Sequence, residues 1–223
     1  MERCWIWLRV CRRCVALMLL PKNAQQIFIP GPAGQLDCLK LSPPSDINII
    51  GCALVFHPDP KGGGNYTNKV VQTIAKTLTG NGYVCYCPNL RGVGLSDGTH
   101  DFGNGEVEDA KSVHSYIELH HPNLPLILAG FSFGSFIASK LASTTAHTRL
   151  ILIGPAVTRY EVDIENVEKT IVIHGDEDEV IEFSAVLEWG KKHNQPIICF
   201  PNTGHFFHGK LLQLQNLLNT LVL

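Results

Sequence analysis

The chain has 223 residues, 45% of them hydrophobic and 17% charged, with a formal net charge of −2. That length suits a single α/β domain of roughly 200–250 residues, large enough to fold without disulfide or metal staples. The apolar fraction excludes a disordered chain, and the lack of a basic stripe argues against nucleic acid as a partner.

The charge is uneven. Residues 1–22 carry Arg3, Arg9, Arg12, Arg13 and Lys22 against Glu2, a net +4, which leaves −6 on the remainder. This head contains an apolar run, Val15–Leu20, that is shorter than a secretory core and far short of the ~20 residues of a membrane span. Cys11-Arg-Arg-Cys14 has no second ligand pair to complete a zinc site. Residues 1–22 therefore read as an extension outside the fold, with Met18 a candidate first residue, and 23–223 as one domain. Removal of residues 1–17 is expected to leave folding and activity intact. A cytoplasmic address without a membrane partner follows. Cys52, Cys85, Cys87 and Cys199 lie in apolar strand-like runs and read as buried free thiols.

Gln26–Pro30 and Leu36–Leu41 flank Gly31-Pro-Ala-Gly34 and predict two antiparallel strands. Ile47–Phe56 is a long apolar run that predicts a strand buried on both faces. After the loop His57-Pro-Asp-Pro-Lys-Gly-Gly-Gly64, the spacing of Val70, Ile74, Ala75 and Leu78 predicts a helix over Lys69–Thr79. Further strands are expected at Tyr83–Cys87, Leu126–Ala129, Leu150–Ile153, Thr170–His174 and Ile197–Phe200. Helices are expected between and after them at Glu106–Leu119, Ser135–Leu141, Phe183–Lys191 and Gly209–Leu221. Such alternation implies a mainly parallel sheet with helices on both faces.

Sheets of this kind bind ligands at the carboxyl ends of their strands. There, Gly130-Phe-Ser-Phe-Gly134 follows one predicted strand and runs straight into a helix. A G-x-S-x-G in that context predicts a nucleophile elbow, which exposes the central Ser132. A serine hydroxyl needs a base, and the base an orienting carboxylate, in the chain order Ser, acid, His. Two later strand ends supply them: the acidic loop Gly175-Asp-Glu-Asp-Glu-Val180, and Pro201-Asn-Thr-Gly-His205. For the acid, Asp176 competes with Asp178; for the base, His208 competes with His205. His57 and His174 read as holding strand-end loops, and the remaining histidines, His100 and His121 among them, as solvated. Glu106, Glu108 and Asp109 read as one solvated helix face, and Arg91 as structural.

With His57-Pro-Asp-Pro60, Asn89-Leu-Arg-Gly-Val-Gly-Leu-Ser96, Gly105-Glu-Val-Glu-Asp109, Gly130–Gly134, His174-Gly-Asp-Glu-Asp-Glu-Val180 and Gly204-His-Phe-Phe-His-Gly209, the chain resembles an α/β-hydrolase. More closely it resembles the small lidless bacterial group related to dienelactone hydrolases, from about Gln25 to the C-terminus. The resemblance implies an α/β-hydrolase fold without a large lid, with Ser132 as nucleophile, Asp178 as acid and His205 as base. It departs at Asp59, where the group often carries a second His. An oxyanion hole needs two backbone N–H groups, one of them from the residue after the nucleophile, Phe133. Pro58 and Pro60 have none, so Asp59 is the expected second donor, with Lys61 or a glycine as fallback. Pro155–Lys169 is too short for a helical lid, and Phe131, Phe133, Phe206 and Tyr160 are candidates to line an open cleft. The expected chemistry is acyl transfer to water from a small-molecule ester, thioester or amide, with no cofactor or metal required; the alternatives are acyl transfer to another acceptor or peptide cleavage on the same residues, or a non-catalytic binding protein that keeps the fold.

Overall fold

The computed structural model describes residues 23–222, so the basic head lies outside the described residues. Eight strands form one sheet: β1 (Ala24–Gly31), β2 (Gly34–Leu41), β3 (Gly51–Phe56), β4 (Tyr83–Pro88), β5 (Leu126–Phe131), β6 (Arg149–Ile153), β7 (Thr170–Gly175) and β8 (Ile197–Phe200), in the spatial order β1-β2-β4-β3-β5-β6-β7-β8. The β1–β2 and β2–β4 pairings are antiparallel; β3–β4, β3–β5 and every pairing from there to β8 are parallel. Among the described residues five α-helices cross over between strands or follow the last one: α1 (Lys69–Gly80), α2 (Asn104–His120), α3 (Phe133–Ala142), α4 (Phe183–His193) and α5 (Leu211–Leu221).

The central strands β3 and β5 are buried at every position. Their two faces feed separate apolar layers. Leu54, Leu128 and Leu152 cluster with Val113 of α2 and Ile137 of α3, whereas Val55, Ile127 and Ile151 cluster with Ile74 of α1 and Leu218 of α5. Period-two alternation sorts these side chains to opposite faces, and a parallel sheet covered on both sides needs both sets apolar.

The structure departs from the sequence expectation at three places. The strand expected over Ile47–Phe56 starts only at Gly51, and Ile49 and Ile50 stand half exposed. Its length is set by its partners: Gly51 pairs with Tyr83 and Cys52 with Leu126, where β4 and β5 themselves begin. Cys199 is exposed because β8 is the sheet edge, while Cys52, Cys85 and Cys87 are buried as expected. The acidic face of α2 is solvated only at Glu108, since Glu106 and Asp109 have no exposed surface. Asp109 holds Arg91 through paired bonds from Nε and Nη2 at 3.0 and 2.7 Å, which gives Arg91 a structural partner. Glu106 accepts the N–H groups of Asp101 and Gly103, each at 2.8 Å, and so caps the helix entrance. No described helix is long and apolar enough to cross a membrane.

Candidate active site

Strand β5 turns into α3 through Ser132, whose φ of 54° and ψ of −117° lie where L-residues are strained. The turn is so tight that a Cβ at Gly130 would meet the Gly134 carbonyl, and a Cβ at Gly134 the Phe56 carbonyl. Ser135 reinforces it by donating to the carbonyls of Gly130 and Ile153 at 2.9 and 3.2 Å. Because backbone blocks the Gly134 site, Gly134→Ala should cost about 1–3 kcal/mol of stability. Urea unfolding checks this, and an unchanged midpoint would refute the packing account.

The loops after β7 and β8 meet above this turn. Gly175 approaches the Thr203 carbonyl too closely for any Cβ, and Glu177 N–H donates to the same carbonyl at 3.1 Å. Asp176, one of the two candidate acids, accepts from Thr203 N–H at 3.3 Å and so ties loop to loop. Asp178 instead reaches His205: its Oδ2 lies 2.7 Å from Nδ1, while its Oδ1 accepts from Ile181 and Val180 N–H at 2.7 and 2.9 Å. His205 Nε2 lies 3.0 Å from Ser132 Oγ. The structure thus brings Ser132, His205 and Asp178 into one hydrogen-bonded line, and leaves Asp176 and the exposed His208 off it.

All three side chains are nearly buried. Burial by itself would raise the Asp178 pKa, yet the bond from His205 and the two amides hold the carboxyl below its usual range. An ionised Asp178 keeps the proton of neutral His205 on Nδ1 and leaves Nε2 as an acceptor facing the serine. His174 adds a polar ceiling: its Nε2 donates to the Ile181 carbonyl at 2.8 Å and lies 3.4 Å from Asp178 Oδ2. The imidazole of His205 rests on Phe131, with centroids 4.9 Å apart, and Gly154 leaves the space its edge occupies.

An open cleft of about 490 Å³ surrounds Ser132 and His205, lined by Asp59, Gly62–Gly64, Arg159, Val180 and Phe206. Of the candidate lining residues, Phe206 stands on this cleft. Phe131 lies under the imidazole, fully buried, and Tyr160 packs its ring on Phe133 and Phe136 at 5.0 and 4.8 Å. The side chain of Phe133 points into the core for the same reason: it starts α3, and the sheet-facing side of that helix is apolar. Sequence spacing marks such aromatics as near the nucleophile but cannot say on which side of the backbone each falls. Arg159, which sequence reasoning missed, lines the cleft through its place on the β6–β7 connection. A larger cavity of about 540 Å³ lies across the Gly63–Gly64 ridge over the buried Asp37, Tyr66 and Asn89. There Asp37 is bonded by Gln26 and Asn89 at 2.7 and 3.0 Å, and neither Ser132 nor His205 reaches it.

Two further histidines depart from the solvated reading. His121 Nε2 lies 2.9 Å from the Tyr86 hydroxyl, and His100 Nδ1 sits 2.7 Å from Glu106 Oε1 in a close but poorly aligned contact. Among the cysteines, burial pushes Cys52 up to about 11 and Cys85 up to about 12, so these thiols stay protonated and inert.

Comparison with known proteins agrees with this architecture. The family model described as Hydrolase_4, serine aminopeptidase S33, matches residues 60–169. A Rickettsia prowazekii protein, RP471, described as uncharacterized, is 34% identical over 166 residues, covering 70% of this chain and 68% of its own. XC6422 of Xanthomonas campestris, described as an α/β serine hydrolase without lid, is 33% identical with a TM-score of 0.84, over 91% of this chain and 94% of that one. An α/β serine hydrolase homologue from Coxiella burnetii is 35% identical with a TM-score of 0.84, over 92% of this chain and 100% of that one. The chain belongs to the α/β-hydrolase superfamily.

Proposed function

We propose that the protein is a serine hydrolase acting on esters, thioesters or amides of small to medium acyl groups. The observation that carries this reading is the Ser132–His205–Asp178 line, at 3.0 and 2.7 Å, built on a strained strand-to-helix turn. Ser132 Oγ attacks the carbonyl carbon while His205 Nε2 takes its proton. The tetrahedral oxyanion is received by the N–H of Phe133, which opens α3 and has no partner within its own helix, and by that of Asp59. Collapse expels the alcohol, thiol or amine, which leaves with the proton from His205. Water then repeats the sequence, cleaving the acyl-enzyme to free acid and serine. Asp178 fixes the imidazole and stabilises the imidazolium.

His57 positions the second oxyanion donor. Its Nε2 accepts from Leu90 N–H at 3.1 Å, so its proton is on Nδ1 and is donated to the Pro58 carbonyl at 2.7 Å. In a trans peptide the C=O and N–H point opposite ways. With the Pro58 oxygen held toward the buried ring, the Asp59 N–H turns toward the cleft that Asp59 lines. Burial lowers the His57 pKa to about 4, only partly offset by its bond to Pro58. The unfolded value is ~6.5, so the unfolded chain takes up a proton first as pH falls. Stability is therefore full above about pH 6.5 and lost progressively toward about pH 4, by on the order of 3 kcal/mol for this group. The depressed value of His174 acts in the same direction, and that of Asp178 adds a loss only below its ordinary value of 3.8. Urea unfolding at several pH values should show this slope, shallower in His57→Gln; an identical slope in that variant would refute it.

A fluorophosphonate probe together with p-nitrophenyl esters, acyl thioesters and aminoacyl amides tests the function. Covalent labelling at Ser132 and turnover of one of these classes are expected. No labelling of folded wild-type protein, where a known serine esterase reacts, would sink the reading.

A further inference from the structure

Two cationic residues, Lys61 and Arg159, line the cleft from two different loops. Among the described residues no carboxylate lies within ion-pair distance of Lys61 or Arg159, a state they share with exposed cations such as Lys69, Lys76 and Lys192, whereas Arg91, Lys111, Lys140 and Lys191 each have one. Their place on the wall of the cavity that holds Ser132 and His205, and not the lack of a partner, sets Lys61 and Arg159 apart.

Lys61 is held by an aromatic ring instead of an acid. Its Nζ stands 3.9 Å from the centroid of Phe102, and its backbone N–H bonds Asp59 Oδ1 at 2.8 Å. A cation–π contact fixes an ammonium while leaving its charge available to a ligand. Phe102 is itself an unusual residue, 60% exposed and at a φ of 52°. The fully buried Glu106 bonds the N–H groups on either side of it, at Asp101 and Gly103, and so maintains a strained, solvent-facing ring. The backbone at Arg159 is fixed through its neighbours: its own N–H and that of Tyr160 each donate to the Ala156 carbonyl at 3.0 Å, and the Tyr160 ring is stacked on Phe136. Two carboxylates stand close by, and each is turned to a backbone amide. Asp59 faces Lys61 N–H, and Glu179 accepts from His205 N–H at 3.1 Å.

We propose that the cleft selects substrates bearing an anionic group, a carboxylate or phosphate, held between Lys61 and Arg159 while Ser132 attacks the neighbouring acyl carbon. This rests on the serine-hydrolase reading and names its substrate class. Such charges steer and orient a ligand more than they tighten it, so the effect is selective discrimination against neutral isosteres.

The test compares kcat/KM for the mono-p-nitrophenyl ester of adipic acid with that for p-nitrophenyl hexanoate. A second arm compares 4-(hexanoyloxy)benzoate with the corresponding benzamide, and shows whether the charge sits on the acyl or the leaving side. The anionic-to-neutral ratio should fall about fivefold in Lys61→Gln or Arg159→Gln, and further in the double variant. It should fall likewise in about 0.5 M NaCl, where screening is strong. Lys191→Gln, which removes an exposed charge paired elsewhere, should leave the ratio unchanged. A ratio insensitive to both cleft substitutions and to salt in both arms, or equally sensitive to Lys191→Gln, would overturn the proposal. Calorimetry of Ser132→Ala with monomethyl and dimethyl adipate decides the same point without turnover. Tighter binding of the monoanion, lost in Lys61→Gln and Arg159→Gln, supports it even if no ester is hydrolysed. Equal affinity, or no binding of either ligand, goes against it. Absence of fluorophosphonate labelling and of all turnover would instead mark failure of the hydrolase reading.

Discussion

Ser132→Ala is expected to lose at least ~10³-fold in kcat/KM on whichever activated ester the wild type hydrolyses best, with thermal stability nearly unchanged. The size follows from the geometry. Ser132 Oγ is the group 3.0 Å from His205 Nε2, and a nucleophile and its base fail together when either is removed. The buried thiols of Cys52 and Cys85 are held protonated and cannot substitute. Folding should survive because alanine keeps the Cβ, and with it the backbone at a φ of 54° that the flanking glycines permit. Steady-state kinetics beside a thermal melt separates the two. A variant that keeps more than a few per cent of wild-type activity would remove Ser132 from its proposed role.

Asp178→Asn should lose about 10³- to 10⁴-fold in kcat, and it discriminates between the two acids of the loop. An amide at this position can offer its NH₂ to His205 Nδ1, which drives the ring proton to Nε2 and leaves no acceptor for the serine proton. It also removes the charge that would stabilise the imidazolium. Its Oδ1 bonds to Ile181 and Val180 can be kept by the amide oxygen, so the loop should stay in place. Asp176→Asn serves as the contrast. That side chain touches Thr203 N–H at 3.3 Å and not the imidazole, so its loss should cost less than tenfold. If Asp176→Asn proved the more damaging of the two, the acid would be misassigned. NMR of the His205 ring nitrogens in Asp178→Asn would show the tautomer directly.

The site was legible from the chain to different depths. Gly130-Phe-Ser-Phe-Gly134 between a strand and a helix carries its own geometry, because only glycine tolerates backbone where those two Cβ atoms would sit. The acid loop named four carboxylates, and spacing alone left Asp176 and Asp178 both open. What parts them is three-dimensional: the Thr203 loop occupies Asp176, and the imidazole lies on the far side, by Asp178. The acidic stretch of α2 reads as solvated in sequence because charged residues are seldom buried, and it fails where each charge has a dedicated partner. Arg91 fills one such place and the Asp101 and Gly103 amides another.

By itself the sequence determined the alternation of strands and helices, the sharp turn at Ser132 and the chain order of serine, acid and histidine. These follow from local rules: side-chain period, glycine at crowded backbone, and strand ends that share one sheet edge. Only the tertiary structure decided which ring lies under the imidazole and which faces the cleft, why Cys199 is outside, and that Lys61 and Arg159 line one cleft. Those outcomes depend on strand order and on loops far apart in the chain meeting at one edge. Residues 61 and 159 line the same cleft because β3 and β6 both neighbour β5, a fact of sheet topology that no local pattern encodes.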